Sequence, residues 1–179
     1  GTHPGLKDRV VTVNGVSKGF AMTGWRIGYI GAPLWIAKAC EKLQGQFTSG
    51  ANSVAQRAAI TALKGSLAAS KKMTATFKKR REYMISALQG IPGIEPNLPE
   101  GAFYVFPDVS AYFGKSVGDR MINNSLDLCM YLLEEAHVSI VAGSAFGNPE
   151  CIRISYAASL EDLELAISRI SEALAKLQE

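Results

Sequence analysis

The sequence predicts a mixed α/β chain in two parts: a short strand-and-helix segment, then a small α+β domain. Three observations carry this. Short strand-like runs at Val10–Val13 and Arg26–Ala32 precede two helical stretches. A long amphipathic stretch follows, with Met73, Phe77, Met84 and Leu88 at helical spacing and Lys and Arg on the other face. The remainder alternates short strands with two helices. The division falls near the start of the long helix, giving residues 1–70 and 71–179.

Taken in order, Val10–Val13 is a β-branched run that reads as a buried strand, ended by a turn at Asn14-Gly15. Arg26–Ala32 is a second strand, and Pro33 suits the first position of a helix, where its missing N–H is no loss. That helix is predicted to run to about Leu43, with Gln44–Asn52 as a polar loop. Ser53–Lys64 is Ala-rich and helical, and Gly65 breaks it before the long helix begins. Gly90-Ile-Pro-Gly93 stops that helix, and Pro92, Pro96 and Pro99 mark an extended, turn-rich stretch. Gly101–Phe106 is aromatic and strand-like. Leu126–Ala136 is helical, with Asn124 as its cap and Asp127 in its first turn. Val138–Val141 and Cys151–Ser155 read as strands around the loop Gly143–Gly147. The last helix opens on a capping box, Ser159 and Asp162. Leu160, Leu163, Ile167, Ile170, Leu174 and Leu177 then step by three and four residues.

Composition excludes several classes. The 179 residues carry 19 Lys and Arg against 16 Asp and Glu, a net charge of +3, with 47% apolar and 20% charged residues. That is globular composition, not that of a disordered chain. No run of about eighteen apolar residues occurs, so no membrane span is expected. The small positive excess does not call for a nucleic-acid partner. Cys40, Cys129 and Cys151 lack metal-ligand or disulfide-framework spacing, which points to a reducing, cytoplasmic setting and no metal. Gly1-Thr2-His3-Pro4-Gly5 does not resemble a signal peptide and lacks an initiating Met, so the chain reads as a fragment. His3 and His137 have no ligand spacing, and Ser144 in Gly143-Ser-Ala-Phe-Gly147 is not a nucleophile elbow. Lys71, Lys72, Lys78, Lys79, Arg80 and Arg81 read as a solvated helix face.

The chemistry is concentrated in Ser17-Lys18-Gly19-Phe20-Ala21-Met22-Thr23-Gly24-Trp25-Arg26-Ile27-Gly28. A lysine amine that titrates near about 10.4 in water is a poor nucleophile at neutral pH. Burial or a neighbouring cation lowers that value and frees the amine for imine chemistry. Arg26 adds a permanent charge whose fork can hold a phosphate. Lys18 with Arg26 therefore suits a phosphate-bearing carbonyl cofactor; the competing reading is two solvated surface cations.

This segment resembles the pyridoxal-phosphate lysine motif of the class I/II (aspartate aminotransferase, fold type I) family, S-K-x-x-x-M-T-G-W-R-x-G. The resemblance implies that Lys18 is the internal-aldimine lysine and Arg26 a ligand of the cofactor phosphate. Many relatives carry Ser three residues before the lysine. Here that position is Gly15, leaving Ser17 as the hydroxyl for the phosphate site. Glu100–Phe106 is similar to a small-domain strand bordering the active site, which makes Phe103 the residue nearest the substrate. Cys151-Ile-Arg-Ile-Ser-Tyr156 is similar to the strand whose arginine, here Arg153, binds the substrate α-carboxylate. Physically, Arg153 lies between Ile152 and Ile154 in a strand and so points opposite to them. A lone Arg in an apolar strand needs an anionic partner, either a structural carboxylate or a substrate.

Gln46–Gln56 and Cys151–Leu160 resemble the bacterial and plant-plastid branch acting on aspartate, glutamate and sometimes prephenate. The resemblance spans the chain, as the C-terminal part of the large cofactor domain plus the small domain. It implies a homodimer with the 44–52 loop near its interface. It also implies transamination between an amino acid and a 2-oxo acid with pyridoxal 5′-phosphate. Lyases or synthases share the lysine motif, and a non-catalytic binding domain of the same shape is a further alternative. The family's cofactor-ring contacts from the N-terminal part have no counterpart here, so these 179 residues alone are expected to be nearly inactive.

Overall fold

The computed structural model describes residues 3–178, so Gly1, Thr2 and any reading that rests on them, together with Glu179, lie outside the described residues. The chain divides into two compact units between Met73 and Thr74.

The first unit starts with β1 (Thr12–Gly15) and β2 (Gly28–Gly31), an antiparallel pair in which Thr12 faces Gly31 and Gly15 faces Gly28. The strand thus runs through Asn14 and Gly15, where a turn was expected. The chain turns later, over residues 16–27. Helices α1 (Leu34–Phe47) and α2 (Ser53–Lys64) follow, and α3 (Ala68–Gln89) begins here. Pro33 precedes α1 as its cap and is not its first residue. The helix continues past Leu43 because Gln44, Gly45 and Gln46 carry no breaker strong enough to stop it, leaving a loop of only 48–52. Asn52 caps α2 by accepting from the Ala55 N–H at 2.9 Å.

The core of this unit is small: Val16, Ile27, Ala55 and Ala59, with Phe20 and Met22 against them. β1 was expected to be buried, yet Val13 is 75% exposed. No residue of α1 is buried, and Trp35 and Phe47 are 69% and 84% exposed. A two-stranded ribbon and two helices do not supply enough partners for that many apolar side chains.

The second unit holds the rest of α3, β3 (Tyr104–Val105), β4 (Ser116–Val117), β5 (Arg120–Met121), α4 (Ser125–Glu135), β6 (Val141–Ala142), β7 (Ile152–Ser155) and α5 (Leu160–Leu174). Its sheet is antiparallel in the order β3-β7-β6. One contiguous core joins Met84 and Leu88 of α3, Leu128 and Leu132 of α4, Ile152 and Ile154 of β7, and Ile167 and Ile170 of α5. The apolar stripe read from the last helix is buried from Leu163 through Leu177, whereas its first member, Leu160, is exposed. Ser159 Oγ accepts from the Asp162 N–H at 3.1 Å, and Asn124 Oδ1 accepts from Leu126 and Asp127, so both expected caps form.

Two strands are shorter than expected. Ala102 adopts a left-handed φ of 62°, which delays β3 until Tyr104. His137 leaves α4 with a φ of 55° and Val138 N–H donates back to the Leu132 carbonyl, so pairing starts only at Val141. The β4–β5 hairpin was not anticipated. It turns at Gly118 (φ 54°), and Ser116 exchanges two backbone hydrogen bonds of 2.8 Å with Gln178, tying down the chain end. The basic run on α3 is only partly a solvated face. Lys78 pairs with Glu82 at 3.9 Å, Arg80 lies over the Phe77 ring at 5.5 Å, and Arg81 donates to the Pro99 carbonyl at 2.9 Å. No helix among the described residues is long and apolar enough to cross a membrane.

Cys40 is exposed, whereas Cys129 and Cys151 are buried; burial pushes the Cys129 thiol up to about 11 and raises that of Cys151 as well. A thiolate is the reactive form. A chromogenic disulfide reagent at neutral pH is therefore expected to modify Cys40 rapidly, and Cys129 and Cys151 only at the rate at which the second unit opens. Three equal rates in the absence of denaturant would contradict this packing.

Candidate active site

Two clusters carry the residues singled out by the sequence, one in each unit. The first is the 16–27 connection between β1 and β2. Val16 and Ile27 bury themselves at its two ends, and the Val16 N–H donates to the Ile27 carbonyl at 3.3 Å, closing the loop at its base. Between them Phe20 and Met22 pack back against this core, while the polar side chains of the loop lie outward or along the rim. Ser17 is half-buried, and Lys18 and Arg26 are exposed. The loop is held further by Phe20 N–H to Val16 O and by Ser70 Oγ–H to Gly19 O at 2.8 Å.

Two non-glycine residues of this loop have left-handed backbone, Ala21 (φ 53°) and Arg26 (φ 54°). Each costs about 1–2 kcal/mol, and such strain gathers at functional sites. Arg26 follows the short helical turn Thr23–Trp25, and its Nη1 donates to the Thr23 carbonyl at 2.9 Å, fixing the side chain on its own turn. Beside it opens a cleft of about 500 Å³ lined by Gly24, Trp25, Arg26, Ala51, Asn52 and Ala55. The guanidinium and the capped N-terminal end of α2 thus border one space, and both favour an anion. Gly15 is needed where it stands: a Cβ there would come within 3.1 Å of the Ile27 carbonyl oxygen. A side chain at that position would require the facing strand to give by a few tenths of an ångström.

The second cluster is built on β7, the central strand of its sheet. Ile152 and Ile154 face the core, and Arg153 between them is half-buried on the opposite side, as the alternation required. Among the described residues no carboxylate lies within 4.0 Å of Arg153. Its guanidinium carbon instead sits 4.2 Å from the centroid of the Phe146 ring and 5.2 Å from that of Tyr104. Phe146 is met edge-on by Phe106, with centroids 6.2 Å apart and planes at 89°. Phe103 packs toward Phe77 at 6.3 Å and meets Tyr104 edge-on at 5.8 Å.

The model of the family described as "Aminotransferase class I and II" matches residues 2–170. The chain is 50% identical over 181 residues to the bifunctional aspartate aminotransferase and glutamate/aspartate-prephenate aminotransferase of Petunia hybrida, covering 98% of this chain and 37% of that protein. The crystal structure of the aspartate aminotransferase from Rhizobium meliloti superposes with a TM-score of 0.95 at 45% identity, over 98% of this chain and 44% of that one. An aromatic aminotransferase from Pyrococcus horikoshii superposes at 0.87 with 35% identity, over 97% of this chain and 45% of that one. The chain belongs to the class I and II aminotransferase family. It spans less than half the length of the relatives it matches. Its fold is that of the aspartate aminotransferases, and the bacterial and plant resemblance noted in the sequence holds.

The family depends on pyridoxal 5′-phosphate, and the residues present fit that group. Ser17, Lys18 and Arg26 are two cations and a hydroxyl donor on one strained loop; Arg26 lines the cleft beside the α2 N-terminus, whereas Ser17 and Lys18 are not among its lining residues. That chemistry suits a phosphate together with an amine-reactive carbonyl.

Sequence reasoning passed over three contributors. Tyr104 was read only as part of a strand. Asn52 was assigned to a loop, although Asn before Ser53 and an Ala-rich run is a helix-cap signal. Phe146 was assigned to a glycine loop, where the available signal was an aromatic residue between two glycines just before the arginine strand. The first of those glycines makes the loop possible. A Cβ on Gly143 would collide with the carbonyl oxygens of Cys151 and Asn148, and the Gly143 N–H already donates to Cys151 O at 2.8 Å. Gly143→Ala is expected to destabilise the second unit by about 2–3 kcal/mol in denaturant unfolding followed by protection of Cys129 and Cys151. Gly101→Ala, where a Cβ meets nothing within 4 Å, is expected to change it by less than about 0.5 kcal/mol. Equal effects would show that the close approach at Gly143 does not hold the loop.

Proposed function

We propose that this chain is part of a pyridoxal-phosphate-dependent aminotransferase that moves an amino group between an amino acid of the aspartate or glutamate type and a 2-oxo acid. On this reading residues 1–70 belong to a larger cofactor domain and residues 71–179 form the small C-terminal domain. The observation that carries it is the 16–27 loop, where Lys18, Ser17 and Arg26 share one strained connection between paired strands. The exposed apolar surface of α1 and β1 supports a larger cofactor domain and a homodimer, and the relatives' names support the substrate class. A reducing, cytoplasmic setting belongs to this reading, and three free cysteines are compatible with it.

When bound, the cofactor supplies an aldehyde for amine exchange and a ring that withdraws electrons from the substrate α-carbon. The chain's own residues do the rest. Lys18 Nζ is the amine that would hold the cofactor through its aldehyde. Lys18 then acts as base, taking the proton from the substrate Cα on Nζ. Arg26 anchors the phosphate with its remaining N–H groups, aided by the Ser17 hydroxyl. Arg153 offers two parallel N–H donors to the substrate α-carboxylate, which removes rotational freedom before the proton moves. Phe103, the residue just before β3, borders the substrate.

In the complete gene product, Lys18→Ala is expected to lower transamination of aspartate by about three orders of magnitude. Arg153→Lys, which cannot form the bidentate pair, is expected to raise KM for the amino acid by about ten- to a hundredfold. Full activity of Lys18→Ala would overturn the proposal. Product formation that does not require an acceptor 2-oxo acid would turn it toward a lyase on the same scaffold.

A further inference from the structure

An arginine that recognises a carboxylate end-on has a conflict to resolve. Its long side chain must be held in one plane, because a free guanidinium loses considerable rotamer entropy on binding. The usual restraint is a neighbouring carboxylate, but that partner occupies the same N–H edges and neutralises the charge the substrate needs. Arg153 shows a different solution. No described carboxylate reaches it, and its guanidinium carbon lies within cation–π range of two rings, closer to Phe146 at 4.2 Å than to Tyr104 at 5.2 Å. Rings attract the cation through its charge and its flat face and accept none of its in-plane N–H bonds. Restraint and recognition therefore use different parts of one group.

Phe146 is itself held. Phe106 meets it edge-on, the turn Gly143–Phe146 is pinned by Gly143 N–H to Cys151 O and Asn148 N–H to Gly143 O, and Gly147 closes it with a φ of 84°. That turn joins β6 directly, and Val141 of β6 is the register partner of Arg153 on β7. The ring and the arginine are thus two ends of one short hydrogen-bonded unit. We propose that Phe146, backed by Phe106, is a positioning residue. It fixes the plane of the Arg153 guanidinium and leaves its N–H edges open to a carboxylate. This rests on the reading of Arg153 as the substrate-carboxylate arginine.

The test uses the full chain with ¹⁵N-labelled arginine, the Arg153 Nε–H signal being assigned by its loss in Arg153→Lys, and sodium succinate as the probe. In the unsubstituted chain the signal is expected to be displaced by the ring current of Phe146 and to shift on titration with succinate. Phe146→Leu is expected to return the signal toward that of free arginine and to weaken succinate about three- to tenfold. Phe146→Tyr is expected to restore both, a rescue that a purely space-filling role does not predict, because Leu fills much of the same volume. Succinate binding that is unchanged in Phe146→Leu overturns the positioning role and leaves the reading of Arg153 intact. Absence of any succinate-induced shift at Arg153 in the unsubstituted chain overturns both.

Discussion

Strand β7 is the constraint on which the second unit depends. It is paired on both edges, to β3 and to β6, and its two isoleucines are buried in a core shared with α3, α4 and α5. Because side chains alternate along a strand, fixing Ile152 and Ile154 in that core fixes Arg153 on the other face. A slip of one residue would bury the guanidinium and expose both isoleucines, which is costly on both counts. The arginine's direction is therefore enforced by hydrophobic burial, and the local stacking on Phe146 and Tyr104 refines an orientation already chosen.

The first unit works from a different balance. Its own core is four buried residues with two partly buried neighbours, and much of its apolar surface faces outward. What it does fix is the 16–27 loop, by burying Val16 and Ile27 at the two ends and joining them through one backbone hydrogen bond. Two left-handed non-glycine residues in so short a loop are tolerated because both ends are anchored and Arg26 is tethered to Thr23. Free energy stored in the loop is offset by burial at its base.

The elements with strong local signals were legible in the sequence. The stripe from Leu163 to Leu174, the caps at Asn124 and Ser159, and the α2 helix over Ser53–Lys64 all formed as read. The Arg153 strand was legible because isoleucine alternation demands it. What could not be read follows from long-range or backbone effects. The shortening of β3 and β6 reflects left-handed conformations at Ala102 and His137, residue types that do not advertise a positive φ. The exposure of β1 and α1 was hidden because apolar sequence reports a wish for burial and not its fulfilment. Phe146 was missed because its role arises across the β6–β7 pairing, at a distance in sequence that no local period registers.

The central claim is that this chain carries the cofactor lysine of an aminotransferase. The most direct measurement is to load the complete gene product with pyridoxal 5′-phosphate, reduce with borohydride to make any cofactor–lysine linkage permanent, and map the modified peptide by mass spectrometry. The account predicts a single modified residue, Lys18, on the peptide that also contains Phe20 and Met22. Modification spread over exposed lysines such as Lys71, Lys78 and Lys79, with Lys18 no more labelled than the rest, would contradict it.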